Sequence, residues 1–249
     1  AETNRYWINE NLLNIEVGGN LVNIAEVVLK IIDAYVDTKQ QAFQNFIENM
    51  QSIQNIQNEQ SEQAFALIAS LLNPQVDARI FEIISFALLK VYYSDQAIYW
   101  GWTPDTLIED SLTLFKTGRT NANDGGIDFV MKPLGRFFQV TETVDVNKYF
   151  LDIDKIQRYP LTFVIKSEAS ADSILKAIRY QAQQTYQVRA IVEKYMAAIE
   201  EIINIPILLE RFEEIQNKNK LNRVIDEIIL HSKVEFNLDN FASKDDQNE

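Results

Sequence analysis

The sequence predicts an α+β chain, predominantly helical, with a small mixed β-sheet core at about residues 78–170 flanked by long helices. Three observations predict it. Apolar residues recur at i, i+3 and i+4 through most of residues 21–93 and 171–231. Five of the seven glycines, Gly101, Gly118, Gly125, Gly126 and Gly135, fall between those two regions. In the same interval the apolar period drops to two, the repeat of a half-buried strand. The chain of 249 residues is read as a single domain, 1–249. Its parts are a helical N-terminal segment 1–77, an α/β core 78–170 and a helical C-terminal segment 171–249.

The first helical pattern runs through Leu21, Ile24, Ala25, Val28, Leu29, Ile32 and Tyr35, and continues at Phe43, Phe46, Ile47 and Met50. A Gln/Asn-rich stretch follows. The period resumes at Phe65, Ile68, Ala69 and Leu72 until Asn73-Pro74 stops it. The next helix spans about Asp77 to Tyr93, with Ile80, Phe81, Ile84, Leu88 and Val91 on one stripe and Glu82 off it. A wet helix face would account for Glu82. Trp100 and Trp102 sit in a Gly-Pro turn and read as core or hinge packing. A short helix at about 106–110 is expected next, then strands at 112–117, 126–132, 136–141 and 161–166. Pro133-Leu134-Gly135 reads as a hairpin turn between the second and third strands. From Ala171 onward the pattern is helical again, broken or kinked at Pro206, with a last helix at about Leu221–His231.

Composition excludes several chemistries. There is no cysteine, so disulfides and thiolate metal sites are ruled out. The single histidine, His231, leaves no room for a His-rich metal site or a Ser-His-Asp triad, and at a helix end it reads as structural. No run of about 18 apolar residues is present, so no membrane span is expected. The first residues lack a basic-then-apolar leader pattern, which makes a cytoplasmic protein the expectation. The formal charge of -13 argues against a general nucleic-acid coat. Most of the acid excess lies in residues 1–77, with 3 bases against 10 acids; residues 78–170 carry 10 against 12. Bases gathered on one face of the middle segment can still meet a phosphate backbone.

The constellation that can carry chemistry lies in that middle segment. Asp128 sits on one expected strand, and Gln139 and Thr141 share a face of the next. Glu142 follows directly, and Glu82 comes from the preceding helix. The GGID of Gly125–Asp128 followed by QVT at Gln139–Thr141 resembles the PD-(D/E)XK nuclease superfamily, in which an acid on one strand precedes an acid or Gln, any residue and Lys on the next. The whole block, DGGIDFV…GRFFQVTE, looks like type II restriction endonucleases, the ApaLI-like branch among them. The resemblance covers roughly residues 78–170 and implies a nuclease-like core.

That resemblance implies Mg²⁺-dependent, sequence-specific hydrolysis of double-stranded DNA by a homodimer. Phosphodiester hydrolysis calls for a divalent cation that offsets developing charge and activates water, and Mg²⁺ takes one or two carboxylates while keeping much of its water. Asp128 and Glu82 are the implied metal ligands, and Asp128, Gln139, Thr141 and Glu142 the implied catalytic set. Arg119, Asn121, Asn123, Lys132 and Arg136 surround the hairpin and are the expected DNA contacts. Thr141 stands where the family usually has Lys. Lys132, Lys148 or Lys166 can substitute, Glu142 can act from the shifted position, or the chain is an inactive nuclease-like subunit. A non-catalytic helical interaction protein is the alternative that the acidic, Gln/Asn-rich helices favour.

Overall fold

The structure, a computed structural model, describes residues 9–54, 61–118, 127–143 and 145–236. The chain divides into two compact units, Ala1–Asn49 and Met50–Glu249. In the first, strands β1 (Asn14–Val17) and β2 (Asn20–Asn23) form an antiparallel hairpin. Gly18 and Gly19 make its turn, both at positive φ, where a Cβ would be strained. Helix α1 begins at Ala25 and runs to Gln54. Leu21 therefore belongs to a strand, not to the helix that its spacing suggests.

The second unit opens with α2 (Ser61–Ser70) and α3 (Ala78–Tyr93). Asp77 caps α3 by accepting a hydrogen bond from the Arg79 N–H at 3.0 Å. A second hairpin, β3 (Ala97–Trp100) with β4 (Ile108–Ser111), follows. The expected helix at 106–110 is thus a 3₁₀ turn at Pro104–Thr106 and then a strand. Trp100 and Trp102 are not packed in a core: Trp102 is 95% exposed.

The centre of this unit is a five-stranded sheet of β5 (Thr113–Lys116), β6 (Phe129–Lys132), β7 (Arg136–Thr141), β8 (Leu161–Ile165) and β9 (Ile199–Ile203), in that spatial order. β5, β6 and β7 are antiparallel, and β7, β8 and β9 are parallel. The β6–β7 turn falls at Pro133–Gly135 as read, with Gly135 at positive φ and its N–H donating to the Met131 carbonyl at 2.9 Å. Helix α4 (Val146–Lys155) makes the crossover to β8, and α5 (Ala171–Thr185) with α6 (Arg189–Ala198) makes the crossover to β9. β9 lies where the sequence reads as continuous helix. Pro206 does not kink a helix; it occupies the first turn of α7 (Ile205–Asn217), where its missing N–H is no loss. α8 (Leu221–Phe236) ends the described chain.

Helices cover both faces of the sheet. Phe137 on β7 and Leu161, Phe163 and Ile165 on β8 pack with α4, α5 and α6. On the other face Phe129 meets Phe86 of α3 with ring centroids 5.1 Å apart, and Phe138 meets Tyr93 at 6.1 Å. α7 and α8 pack on α3 behind them. The period-2 alternation of β7 therefore sends Arg136, Phe138 and Val140 toward α3, and Phe137, Gln139 and Thr141 toward α4–α6. His231 lies edge-on to Phe86 at 4.5 Å and beside Glu227 at 3.3 Å, a structural role within α8.

Two outcomes follow from this packing. Phe138 is fully buried between two aromatic neighbours, so Phe138→Ala is expected to cost about 3–5 kcal/mol in urea unfolding. His231 and Lys90, the latter at 2.6 Å, hold the Glu227 carboxyl below the usual carboxylate range. A depressed folded-state pKa gives stability that is present above the unfolded value and lost as pH falls through the folded one. Glu227→Gln is therefore expected to lower the melting temperature at neutral pH and to lose that effect in acid below about pH 4, read from melts across pH.

Candidate active site at the strand ends

β7 and β8 run parallel, so their C-terminal ends lie together. Antiparallel β6 begins at that end and β5 finishes there. Asp128 stands just ahead of β6. In a regular strand the N–H and C=O of one residue point to the same neighbour. Asp128 departs from this. Its N–H donates to the Phe138 carbonyl at 2.9 Å, while its carbonyl accepts from the Thr117 N–H at 3.0 Å, so the residue bonds β7 on one side and the end of β5 on the other. Its carboxylate takes over from the backbone: Oδ2 accepts from the Val140 N–H at 2.6 Å. Asp128 thus bonds the residues on either side of Gln139.

Gln139 is buried, on the face covered by α4–α6, beside Phe163 in the β7–β8 register. Its Nε2 reaches only the Val140 carbonyl, at 3.4 Å, and its buried Oε1 has no hydrogen-bond partner among the described residues. Burying an acceptor unpaired costs free energy. Thr141, also buried, turns its hydroxyl to the Thr143 carbonyl at 3.2 Å. Its own carbonyl accepts from the Lys166 N–H at 2.9 Å.

Lys166 is the base that the fold brings beside Thr141. It follows β8, its ammonium donates to the Val76 carbonyl at 2.7 Å just ahead of α3, and it forms an ion pair with Glu142. The Lys166 side chain is only 8% exposed against 47% for Glu142, so the acid holds the base from the solvent side. Lys132 stands at the far, hairpin end of β6, and Lys148 is exposed on α4.

Other expected site residues are placed elsewhere. Glu82 is not on a wet helix face: it is 5% exposed, and its carboxylate lies 2.8 Å from Lys116 of β5 on the α3 side of the sheet. The sheet therefore lies between Glu82 and Gln139, and the fold does not bring Glu82 to the Gln139 side. Arg136 does not present a free guanidinium to a phosphate. It donates to Thr162 Oγ1 at 2.8 Å and pairs with Glu200 at 3.2 Å and with Glu201, over the rings of Tyr93 and Phe138. Arg211 reaches the same Glu201 and the Tyr93 hydroxyl. Arg119, Asn121 and Asn123, with Gly125 and Gly126, lie outside the described residues.

Among the described residues no three carboxylate or imidazole groups converge on one point. At this strand end Asp128 offers a carboxylate and Gln139 an orphaned amide oxygen, both oxygen donors of the type hard cations take. Thr117 was not legible as part of this end; besides its backbone N–H, its hydroxyl donates to the Ile127 carbonyl and to the Asp128 carbonyl at 3.1 Å. Comparison with protein-family models, with curated proteins and with solved structures gives no match.

The Glu82–Lys116 pair sets a test of its own. Lys116→Met strands a buried carboxylate and is expected to cost about 3–5 kcal/mol, whereas Glu82→Leu with Lys116→Met is expected to recover most of that loss. Denaturant unfolding of the three chains measures it.

Proposed function

We propose that this chain is a Mg²⁺-dependent, sequence-specific endonuclease of double-stranded DNA, of the type II restriction kind, acting at the strand ends around Asp128. The observation that supports it most is the relation of Asp128 to Gln139. The acid lies at the start of one strand, and Gln139-Val140-Thr141 lies on the antiparallel strand beside it, the arrangement that the nuclease resemblance requires. When bound, the cation supplies Lewis acidity, offsetting charge on the phosphate and making water a better nucleophile. In this reading Asp128 and the Gln139 carbonyl oxygen would hold that cation.

The Lys166–Glu142 pair lies at this strand end but on the α3 side, with Glu142 between the ammonium and solvent, so in this reading it remains a structural pair and Thr141 alone fills the position of the usual Lys. Glu82 serves the fold rather than the metal in this reading. Cutting both strands of a symmetric site is most simply done by two copies about a twofold axis, so the active species is a homodimer. With Arg136 held in ion pairs, Lys132 is the hairpin's base for phosphate contact.

The test is plasmid cleavage with Mg²⁺, Mn²⁺ or EDTA. Asp128→Asn is the informative variant, because an amide oxygen still accepts the Val140 N–H while the charge is gone. Discrete, metal-dependent fragments from the parent chain and a loss of about 10²-fold or more in Asp128→Asn, with unchanged unfolding, are expected. If the parent chain is silent and Thr141→Lys cuts, the fold is that of a disabled nuclease. No cleavage and no DNA binding by any of these chains favours an interaction protein, a reading that the exposed apolar surface of the first unit also supports.

A further inference from the structure

Within the first unit, burial is confined among the described residues to the far part of α1, at Phe43, Phe46 and Ile47. No described side chain between residues 9 and 42 is buried. Yet the segment is rich in large aliphatic residues. Nine of them between Ile15 and Val36 are 41–74% exposed, Leu21, Leu29 and Ile31 above 60%. Over residues 25–38 α1 is apolar nearly all round: its charged residues there, Glu26, Lys30, Asp33 and Asp37, fall on one narrow stripe at spacings of four, three and four. A helix of that kind belongs inside something. The β1–β2 hairpin has no third strand among the described residues, and an isolated two-stranded hairpin is marginal in water.

We infer that the β1–β2 hairpin and the first half of α1 form a self-association surface, and that its occupant is the same surface of a second copy of this chain. Area supports a partner of that size. A buried aliphatic side chain removes roughly 60–120 Å² of apolar surface from water, so nine at about half exposure offer on the order of 400 Å². A standard interface covers about 800 Å² per partner, a little over half of it apolar, or roughly 450–500 Å². Charge selects against the other occupants. The one polar stripe carries three acids and a lysine already paired to Glu26 at 2.8 Å, which disfavours both an anionic lipid surface and DNA. A twofold contact needs only this one surface, and the matching patch on the second copy is equally apolar, leaving both acidic stripes at the rim. The inference stands on the first unit alone, so it holds or fails whether or not the chain cuts DNA.

Sedimentation velocity of the full chain across a dilution series tests it, with hydrogen exchange on the same samples. A species of twice the 28.8 kDa chain mass is expected. Leu29→Glu and Ile31→Glu, on different sides of α1, are each expected to raise the dissociation constant at least roughly ten-fold while the melt of the five-stranded unit stays put. In the unmutated chain, amides of residues 25–38 are expected to be protected when concentrated and to lose that protection on dilution to monomer, a readout that needs no variant. A monomer at every concentration, or a dimer whose mass and exchange ignore both variants, overturns the proposal.

Discussion

Helices cover both faces of the five-stranded sheet, so each polar group on its strands must be matched inside the protein. The matches differ in kind. Glu82 and Lys116 neutralise each other between α3 and β5. Arg136, Glu201 and Arg211 join β7, β9 and α7 in one charged chain roofed by Tyr93. Asp128 spends a carboxylate oxygen on the Val140 N–H. Each removes a buried charge or donor that would otherwise cost several kcal/mol, on the order of 1–5 by type. Against that background the buried Gln139 Oε1 has no hydrogen-bond partner among the described residues, as is also true of the Ser85, Tyr149 and Ser232 hydroxyls on the covering helices.

Much of the core was legible because its signals are local. β7 matches its expected bounds at Arg136 and Thr141, since RFFQVT alternates and Gly135 marks the turn before it. α3 was legible from its apolar stripe. β9 was not. IEEII has no alternation that separates it from the amphipathic helices on either side, and only the open edge of β8 makes it a strand. β4 was hidden in the same way, because Ile108–Ser111 acquires its extended form from β3 across the hairpin.

The site was half legible. Asp128 and Gln139 could be placed on neighbouring strands from period and turn alone, but the backbone bonds that tie Asp128 to both neighbours of Gln139 leave no mark in the sequence. Glu82 misled because a helix-face acid looks solvated until the facing strand is known, and its partner Lys116 lies 34 positions on. Lys166 was one of three lysines equally able to replace the missing base; only the parallel pairing of β7 with β8 separates it from Lys132 and Lys148. Trp102 erred in the opposite sense, for a large aromatic is buried by default and this one has no wall to rest on.

The spatial order of the large sheet is also its order along the chain. No strand has to be threaded between two that are already paired. As the chain leaves the ribosome, β5, β6 and β7 can close as a meander on α3, and β8 and then β9 can be laid on one growing edge, each brought back by its own crossover. The parallel half, whose loops are longest, comes last and has a finished template. Until β9 arrives, the β8 edge is open and Arg136 lacks Glu200 and Glu201. The final third of the chain therefore does more than extend the molecule: it covers the β8 edge and supplies the carboxylates that pair with the half-buried Arg136.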